Sequence, residues 1–235
     1  MVKDSQSIIT KNSNSKFVVE DDVSEFFDFI ITDQIGSKSE SVFDSGFNSS
    51  HMTWCPRRMI YCSQGVNPDR NSKSYIDIAT DLAVKNKWIG YFKKCRGVKI
   101  VNQIIRASDC NYNIHGDIDA ILKTSDIEVV AKFQAVDNMD FQMVNKKGAF
   151  KNHVVELMTN MWLAETVNGL LVYENKNDQK YKMFHVKQYR PVIVSIQMKC
   201  LKLFKELIKG FVPDRPYKQK AKECGRCEYY IKCWE

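Results

Sequence analysis

The chain has 235 residues, a length that suggests one large domain or two small ones. Hydrophobic residues make up 44% of it and aromatic residues 11%, which is enough for a packed core and argues against disorder over most of the chain. Its 35 Lys and Arg outnumber its 28 Asp and Glu, giving a net charge of +7. Such an excess favours a polyanionic partner, typically nucleic acid, although a soluble protein with a slightly basic surface has the same composition.

The sequence contains no recognisable membrane or export segment. No apolar run approaches the ~18 residues of a membrane-spanning helix. The first residues, MVKDSQSIITKNSNSK, are polar and lack the apolar centre of a signal peptide. We therefore expect a cytoplasmic protein in which residues 1–18 are flexible and residues 19–235 form a single domain, with a cysteine-bearing segment at 212–235.

Apolar periodicity and turn residues predict the elements in chain order. An acid-rich helix at 20–34 precedes a loop rich in Ser and Gly, and Pro56 is well placed to open a short helix. The remaining elements are a long helix at 75–95, strands at 96–107, 112–123 and 127–135, a helix at 149–167, strands at 169–176 and 179–186, and a helix at 189–211. This order predicts an α/β fold, a mixed sheet flanked by helices in one domain.

Three of the eight cysteines are closely spaced in CGRCEYYIKC, at Cys224, Cys227 and Cys233. Thiolates two residues apart can reach one metal centre from a tight turn, and Gly225 eases that turn. Three ligands leave a tetrahedral or cubane centre incomplete, and Cys55, where a loop meets a helix, is the best candidate for the fourth. Zinc sites usually take two closely spaced cysteine pairs, whereas this chain has one close triplet and one distant cysteine. The pattern therefore favours a 4Fe–4S cluster. Zinc and the absence of a metal remain open alternatives.

A second candidate site lies in HGDIDAILKTSDIEVVAKFQAVD, residues 115–137, which reads as two strands and a turn. Metal-dependent phosphodiester hydrolysis needs carboxylates for the cation and a lysine near the attacking water or the scissile phosphate. Alternate residues of a strand share a face, so Asp119 and Lys132 converge if the strands pair antiparallel. Val130 occupies the position where a second metal-binding acid is expected. The same residues also fit an exposed hairpin with solvated charges.

Together these segments resemble the RecB-like branch of the PD-(D/E)XK nucleases that carries an iron–sulfur cluster, which includes CRISPR-associated adaptation exonucleases, the nuclease domain of AddB and related phage exonucleases. The resemblance rests on TWCPRRMIY and CGRCEYYIKC for the cysteines, and on GDIDAIL, EVVAKF, HVVELMTNMW and GLLVYENK for the order of catalytic strands and helix. It spans residues 51–235 loosely, and the cysteine spacing is its most specific part. It implies a restriction-endonuclease-like fold.

The resemblance also implies roles for individual residues. Asp119 matches a metal-binding aspartate and Lys132 the catalytic lysine. The cluster ligands would be Cys55, Cys224, Cys227 and Cys233.

This chain departs from the family pattern at four positions. Val130 replaces an acid, Glu156 and Asn160 stand where Gln and Tyr are usual, and the helix at 75–95 lacks the family's histidine, with Lys87 or Trp88 near its place. Glu156 can supply the missing carboxylate and bind Mg²⁺ or Mn²⁺ with Asp119, or it can be a surface acid. Glu128 is a weaker substitute for the missing acid, because it lies two strand positions, about 6.6 Å, further from Lys132 than Val130 does.

Two functions follow as expectations. The first is a Mg²⁺- or Mn²⁺-dependent, exonuclease-like deoxyribonuclease that acts on DNA ends or single strands. The second is a catalytically silent nucleic-acid-binding or adaptor subunit, with a protein partner in a phage replication, recombination or transcription assembly in the host cytoplasm, because four family positions are changed. The candidate phosphate contacts are Arg57, Arg58, Lys218, Lys220 and Lys222.

Overall fold

A computed structural model of the protein describes residues 46–68, 72–225 and 227–234. The expectations for a flexible segment at 1–18 and a helix at 20–34 concern residues outside these ranges. No helix in the described ranges has both the length and the apolar character needed to cross a membrane.

A six-stranded mixed sheet forms the centre of the fold. Its strands are β1 (Phe47–Asn48), β2 (Lys99–Asp109), β3 (Ile114–Lys123), β4 (Glu128–Val136), β5 (Asn168–Asn175) and β6 (Tyr181–Lys187). The pairs β1–β3 and β4–β5 are parallel, and β2–β3, β3–β4 and β5–β6 are antiparallel. Since β2 follows β3 along its whole length, β1 and β4 share the opposite edge of β3.

The strands β3 and β4 separate halfway along and form a fork. Their pairing runs from Lys123 opposite Glu128 to Ala120 opposite Ala131 and then stops. Beyond this point β4 continues beside β5, whereas β3 pairs with β1. The fork therefore opens where Asp119 and Lys132 lie.

Helices cover both faces of the sheet. They are α1 (Pro56–Ser63), α2 (Ser72–Lys94), α3 (Asn138–Lys147), α4 (Lys151–Leu163), α5 (Arg190–Ile208) and the short α6 (Lys222–Gly225) and α7 (Tyr230–Trp234). On one face α2 packs Val84 and Trp88 against the sheet. On the other, α4 contributes Leu157 and Met161 to a core that Phe141 of α3 completes.

The expected mixed α/β sheet flanked by helices is confirmed, and most predicted elements lie within a few residues of their expected bounds. The sequence reading missed α3. Its start is marked by Asp137, whose side chain accepts a hydrogen bond from the Asp140 amide as an N-cap does.

Candidate active site

Asp119 lies at the branch point of the fork and is 5% exposed. One carboxylate oxygen accepts a hydrogen bond from the Phe133 amide at 2.8 Å, and the other lies 2.9 Å from Nζ of Lys85 on α2. Because the β3–β4 backbone pairing ends two residues before Phe133, this buried amide needs another acceptor, and Asp119 supplies it. The carboxylate thus holds the fork open and faces α2.

The regular alternation of β3 is interrupted at Asp119. Ile118 packs into the core under α4, whereas Ala120 packs into the core under α2, so two residues that alternation would place on one face lie on opposite faces. On the neighbouring strand β2, Ile104 has a positive φ of 49°. The local irregularity turns the Asp119 carboxylate into the fork.

Lys132 is the other charged residue of the fork and is 4% exposed. Its Nζ lies 2.6 Å from Oε1 of Glu156 on α4. Burial by itself would lower the pKa of Lys132, but the nearby carboxylates of Glu156 and Asp119 raise it, so the ammonium stays charged. Val130, two residues earlier, is fully buried with Leu157 and has no room for a charged group.

Asp81 on α2 joins this group, and the sequence reading did not identify it. Burial raises the pKa of its carboxyl, against the attraction of Lys176, Lys85 and Lys132. Its Oδ1 is buried and has no hydrogen-bond partner among the described residues. Such an oxygen is costly to bury, so it is a candidate ligand for a cation. The sequence feature that could have identified Asp81 is its spacing from Lys85, one helical turn away on α2.

A histidine–tyrosine pair flanks the group. The buried Tyr173 hydroxyl accepts a hydrogen bond from the Phe150 amide at 3.0 Å and lies 3.0 Å from Nδ1 of His153. If the hydroxyl donates its proton to Nδ1, the neutral ring carries its own proton on Nε2. Burial and the charge of Lys132 lower the pKa of His153 to about 4, so the ring is neutral at pH 7.

Asp117 occupies a different environment from Asp119. It accepts hydrogen bonds from Arg106 and Asn48, each at 3.0 Å. Burial alone would raise the pKa of Asp117, but these hydrogen bonds lower it. Glu128 begins β4, four residues and about 13 Å from Lys132. The structure thus brings neither acid into the group around Lys132.

The other family positions have structural contacts. Asn160 donates its amide to the Asp117 carbonyl at 3.2 Å and packs against Gly116, where an added Cβ would lie 2.2 Å from Asn160 Oδ1. Lys87 forms an ion pair with Glu174, and the Trp88 indole donates to the same carboxylate at 2.9 Å. Lys85, rather than either of these, reaches the fork.

In this arrangement Asp119 and Glu156 are paired with lysines, whereas Oδ1 of Asp81 has no hydrogen-bond partner among the described residues. Among the described residues, no three His, Cys, Asp or Glu side chains lie close enough together to hold one metal ion. A cation at the fork would have to displace Lys85 from Asp119 or Lys132 from Glu156. The carboxylate oxygens themselves are the donors that Mg²⁺ and Mn²⁺ prefer.

The four predicted ligand cysteines line one cavity of about 200 Å³: Cys55, Cys224, Cys227 and Cys233. Cys55 is the residue before Pro56 at the start of α1. The loop leading to it is held by the half-buried Lys199 of α5, which donates hydrogen bonds to the Met52 and Trp54 carbonyls at 2.9 and 2.8 Å. The fold therefore brings the distant cysteine to the C-terminal triplet.

Arginines tie the two cysteine segments together. Arg57 donates hydrogen bonds to the Pro213 carbonyl and the Tyr61 hydroxyl, both at 2.7 Å. Arg58 pairs with Glu228 and stacks on the Trp54 ring at 3.3 Å. These two expected phosphate contacts are thus engaged within the protein, whereas the other three are exposed: Lys218, Lys220 and Lys222.

Comparison with known proteins identifies the fold. No family model matches the chain, and no curated protein sequence does. The alkaline exonuclease LHK-Exo from Laribacter hongkongensis matches with a TM-score of 0.56 and 11% identity over 71% of this chain and 89% of that one. Its complex with dAMP matches with a TM-score of 0.54 and 12% identity over 72% and 90% of the two chains.

The crystal structure of SSO0001 also matches, with a TM-score of 0.52 and 16% identity over 88% of this chain and 96% of that one. At these identities the likeness establishes a shared fold, that of an alkaline exonuclease.

Proposed function

We propose that this chain is a metal-dependent nuclease that hydrolyses DNA phosphodiester bonds at the fork between β3 and β4. One observation carries the proposal: carboxylates from three elements, Asp119, Glu156 and Asp81, surround the buried Lys132. This combination matches the chemical needs of phosphodiester hydrolysis. The fold shared with an alkaline exonuclease agrees with it but does not carry it, because one fold can serve several functions.

The charge of the group fits a divalent cation and a phosphodiester. When ionised, Asp119, Glu156 and Asp81 carry three negative charges, and Lys85 and Lys132 carry two positive ones. The net charge of these five groups is therefore −1. A bound Mg²⁺ or Mn²⁺ ion would raise it to +1, and one phosphodiester anion would balance that charge. Such an ion would supply a polarised phosphate and an activated water. The unpartnered Oδ1 of Asp81 would also gain a partner.

The chain's own groups would bind and orient the substrate. Lys132 would neutralise charge on the scissile phosphate or orient the attacking water. Lys85, released from Asp119, would be a second phosphate contact. The Nε2–H of His153 would add a neutral hydrogen-bond donor beside them.

The test is a nuclease assay on anaerobically purified protein with Mg²⁺ or Mn²⁺. We expect Asp119→Ala and Lys132→Ala to lower cleavage on the order of 100-fold or more. Glu156→Gln and Asp81→Asn should each weaken metal-dependent cleavage. Glu128→Gln is the matched control, because this acid begins β4 away from the group, and it should cleave like wild type. Cleavage that survives Asp119→Ala would disprove the site.

We further propose that the four cavity cysteines hold a 4Fe–4S cluster, with zinc as the alternative. Zinc ligands converge on one ion, whereas in a cubane each thiolate binds a different iron, so the sulfurs stand farther apart. The described residues contain no group of three that could hold a single metal ion, so the proposal rests on the cysteine spacing and on the one cavity that the four cysteines line. A brown protein absorbing near roughly 400 nm, with matching iron and sulfide, would support it. Stoichiometric zinc without iron would instead support the zinc alternative.

A catalytically silent adaptor is the second candidate function. It is favoured by the lysine pairing of Asp119 and Glu156 and by the buried Val130. Binding of DNA by wild type without cleavage under either metal would favour the adaptor. Metal-dependent cleavage that needs Asp119 would exclude it.

A further inference from the structure

Two exposed tyrosines share one rigid support on the side of α2 that faces β6. Tyr91 is 55% exposed and Tyr181 is 60% exposed. Both contact Trp88 edge-on, with ring centroids 5.6 and 5.1 Å away. Trp88 is buried, stacks parallel to Phe133, and donates its indole N–H to Glu174. The two exposed rings therefore share one buried, hydrogen-bonded support.

The surroundings of these rings are basic. Lys87, Tyr91 and Lys94 follow one another at helical spacing on one side of α2. On β6, alternation puts Met183, His185 and Lys187 on the face of Tyr181, and all of them are exposed. We call these seven residues the tyrosine shelf.

The two elements contribute no acid to the shelf, and Asp178, three residues before Tyr181, pairs with Lys180. After Asp81, α2 contains no Asp or Glu, and β6 contains none. Glu174, which accepts the Trp88 indole N–H under the shelf, is neutralised by Lys87.

We propose that the tyrosine shelf binds single-stranded nucleic acid, with bases stacked on Tyr91 and Tyr181 and phosphates beside Lys94 and Lys187. Fixed aromatic faces bordered by cations are the arrangement that sequence-tolerant single-strand binding uses. A duplex hides its base faces, so a single strand or frayed end is the ligand that fits. The positive charge alone would also suit an acidic protein, and the exposed aromatic faces are what favour a nucleic acid.

The shelf deepens the proposed function, on which its biological meaning rests. Lys85 at the fork and Tyr91 on the shelf are six residues apart on α2, about 9 Å along the helix axis. A strand held on the shelf would thus be kept close to the fork. The shelf would favour single-stranded over fully paired substrates.

The first test measures the affinity of full-length protein for a fluorescent oligothymidylate in EDTA, which prevents cleavage. Tyr91→Ala and Tyr181→Ala should each weaken binding roughly 5- to 100-fold. Tyr91→Phe and Tyr181→Phe are matched controls that keep the ring, and they should bind nearly like wild type. Unchanged affinity in both alanine variants would overturn the shelf.

The second test separates stacking from charge. An abasic strand of the same length should bind wild type as weakly as the double variant Tyr91→Ala/Tyr181→Ala binds oligothymidylate. Lys94→Gln should reduce the slope of log affinity against log salt by about 0.7, whereas Tyr91→Ala should leave it unchanged. Equal binding of abasic and thymidine strands by wild type would overturn the stacking role.

The outcomes distinguish the shelf from the catalytic proposal. Tyrosine-dependent binding without cleavage would support the shelf and reject the nuclease. Cleavage by a protein whose binding does not depend on the two tyrosines would reject the shelf and support the nuclease. Wild type that binds no oligonucleotide would overturn both.

Discussion

Lys132 and Glu156 form a buried ion pair that joins the central strand β4 to helix α4, with 2.6 Å between Nζ and Oε1. The two side chains are 5% and 13% exposed. Lys132 thereby gains a carboxylate from a helix, since Val130 occupies the strand position two residues before it. The pair links the stability of the fork to its proposed chemistry.

We expect Glu156→Ala to destabilise the protein by about 3–5 kcal/mol, because it leaves the Lys132 ammonium buried without its partner. Urea unfolding at pH 7 measures this loss. The double variant Lys132→Met/Glu156→Met removes both charges and should be much less destabilised than Glu156→Ala. A double variant as unstable as the sum of its single variants would show that the pair is not coupled.

Manganese should raise the thermal midpoint of the wild type and raise that of Asp81→Asn much less. A ligand that binds only the folded state stabilises it, and Asp81 offers an unpartnered buried oxygen for that ligand. Differential scanning fluorimetry with and without Mn²⁺ measures both shifts. Glu128→Gln is the control and should respond like wild type; an equal response in Asp81→Asn would remove Asp81 from the metal site.

His153 should make stability depend on pH between 6.5 and 4. Its pKa is lowered from 6.5 to about 4 in the folded state, so in this range the unfolded chain binds the additional proton. Stability from this group is therefore present above pH 6.5 and lost as the pH falls towards 4, by on the order of 1–3 kcal/mol. Unfolding midpoints at pH 7 and 5 measure the slope.

The matched variant for this prediction is His153→Asn, which keeps an acceptor for the Tyr173 hydroxyl and cannot titrate. Its stability should fall less than that of wild type over the same range. Nitrogen-15 NMR of the chain's four histidines should also show His153 protonated on Nε2 at pH 7. Protonation on Nδ1 would contradict the hydrogen-bond assignment.

Gly116→Ala should destabilise the protein by about 1–3 kcal/mol. The added Cβ would lie 2.2 Å from Asn160 Oδ1 and 3.0 Å from Leu163 Cδ1, so α4 would have to shift away from β3. Gly90→Ala is the control, because a Cβ there meets nothing within 4 Å, and it should stabilise α2 by about 0.5–1 kcal/mol. Equal effects of the two changes in urea unfolding would refute the close approach.

Local patterns predicted most of the element order, with α3 as an exception. Apolar spacing revealed the two strands that carry Asp119 and Lys132, and the proline at Pro56 marked α1. The helix α3 was missed because its ten residues show little apolar periodicity and only Asp137 marks its start. Sequence spacing also selected the four cysteines that line one cavity.

Local sequence patterns could not predict which charged residues meet at the fork. Asp81 and Lys85 belong to a helix about 50 residues before Lys132 in the chain, and the resemblance placed only Lys87 or Trp88 near the position of the family's histidine. A helical pattern shows which residues share a face but not which strand that face covers. Only packing of α2 across β3 to β5 decides that Lys85 reaches Asp119 while Lys87 reaches Glu174.

The sequence by itself determined the strands, the helices and the chemistry available to them, because these depend on neighbours a few residues apart. The tertiary structure decided which charges meet. It separated β3 from β4 at Asp119, buried Val130 under α4 and set Glu156 against Lys132. The physical reason is that burial and charge pairing are non-local, since each depends on which surfaces pack together after the chain has folded.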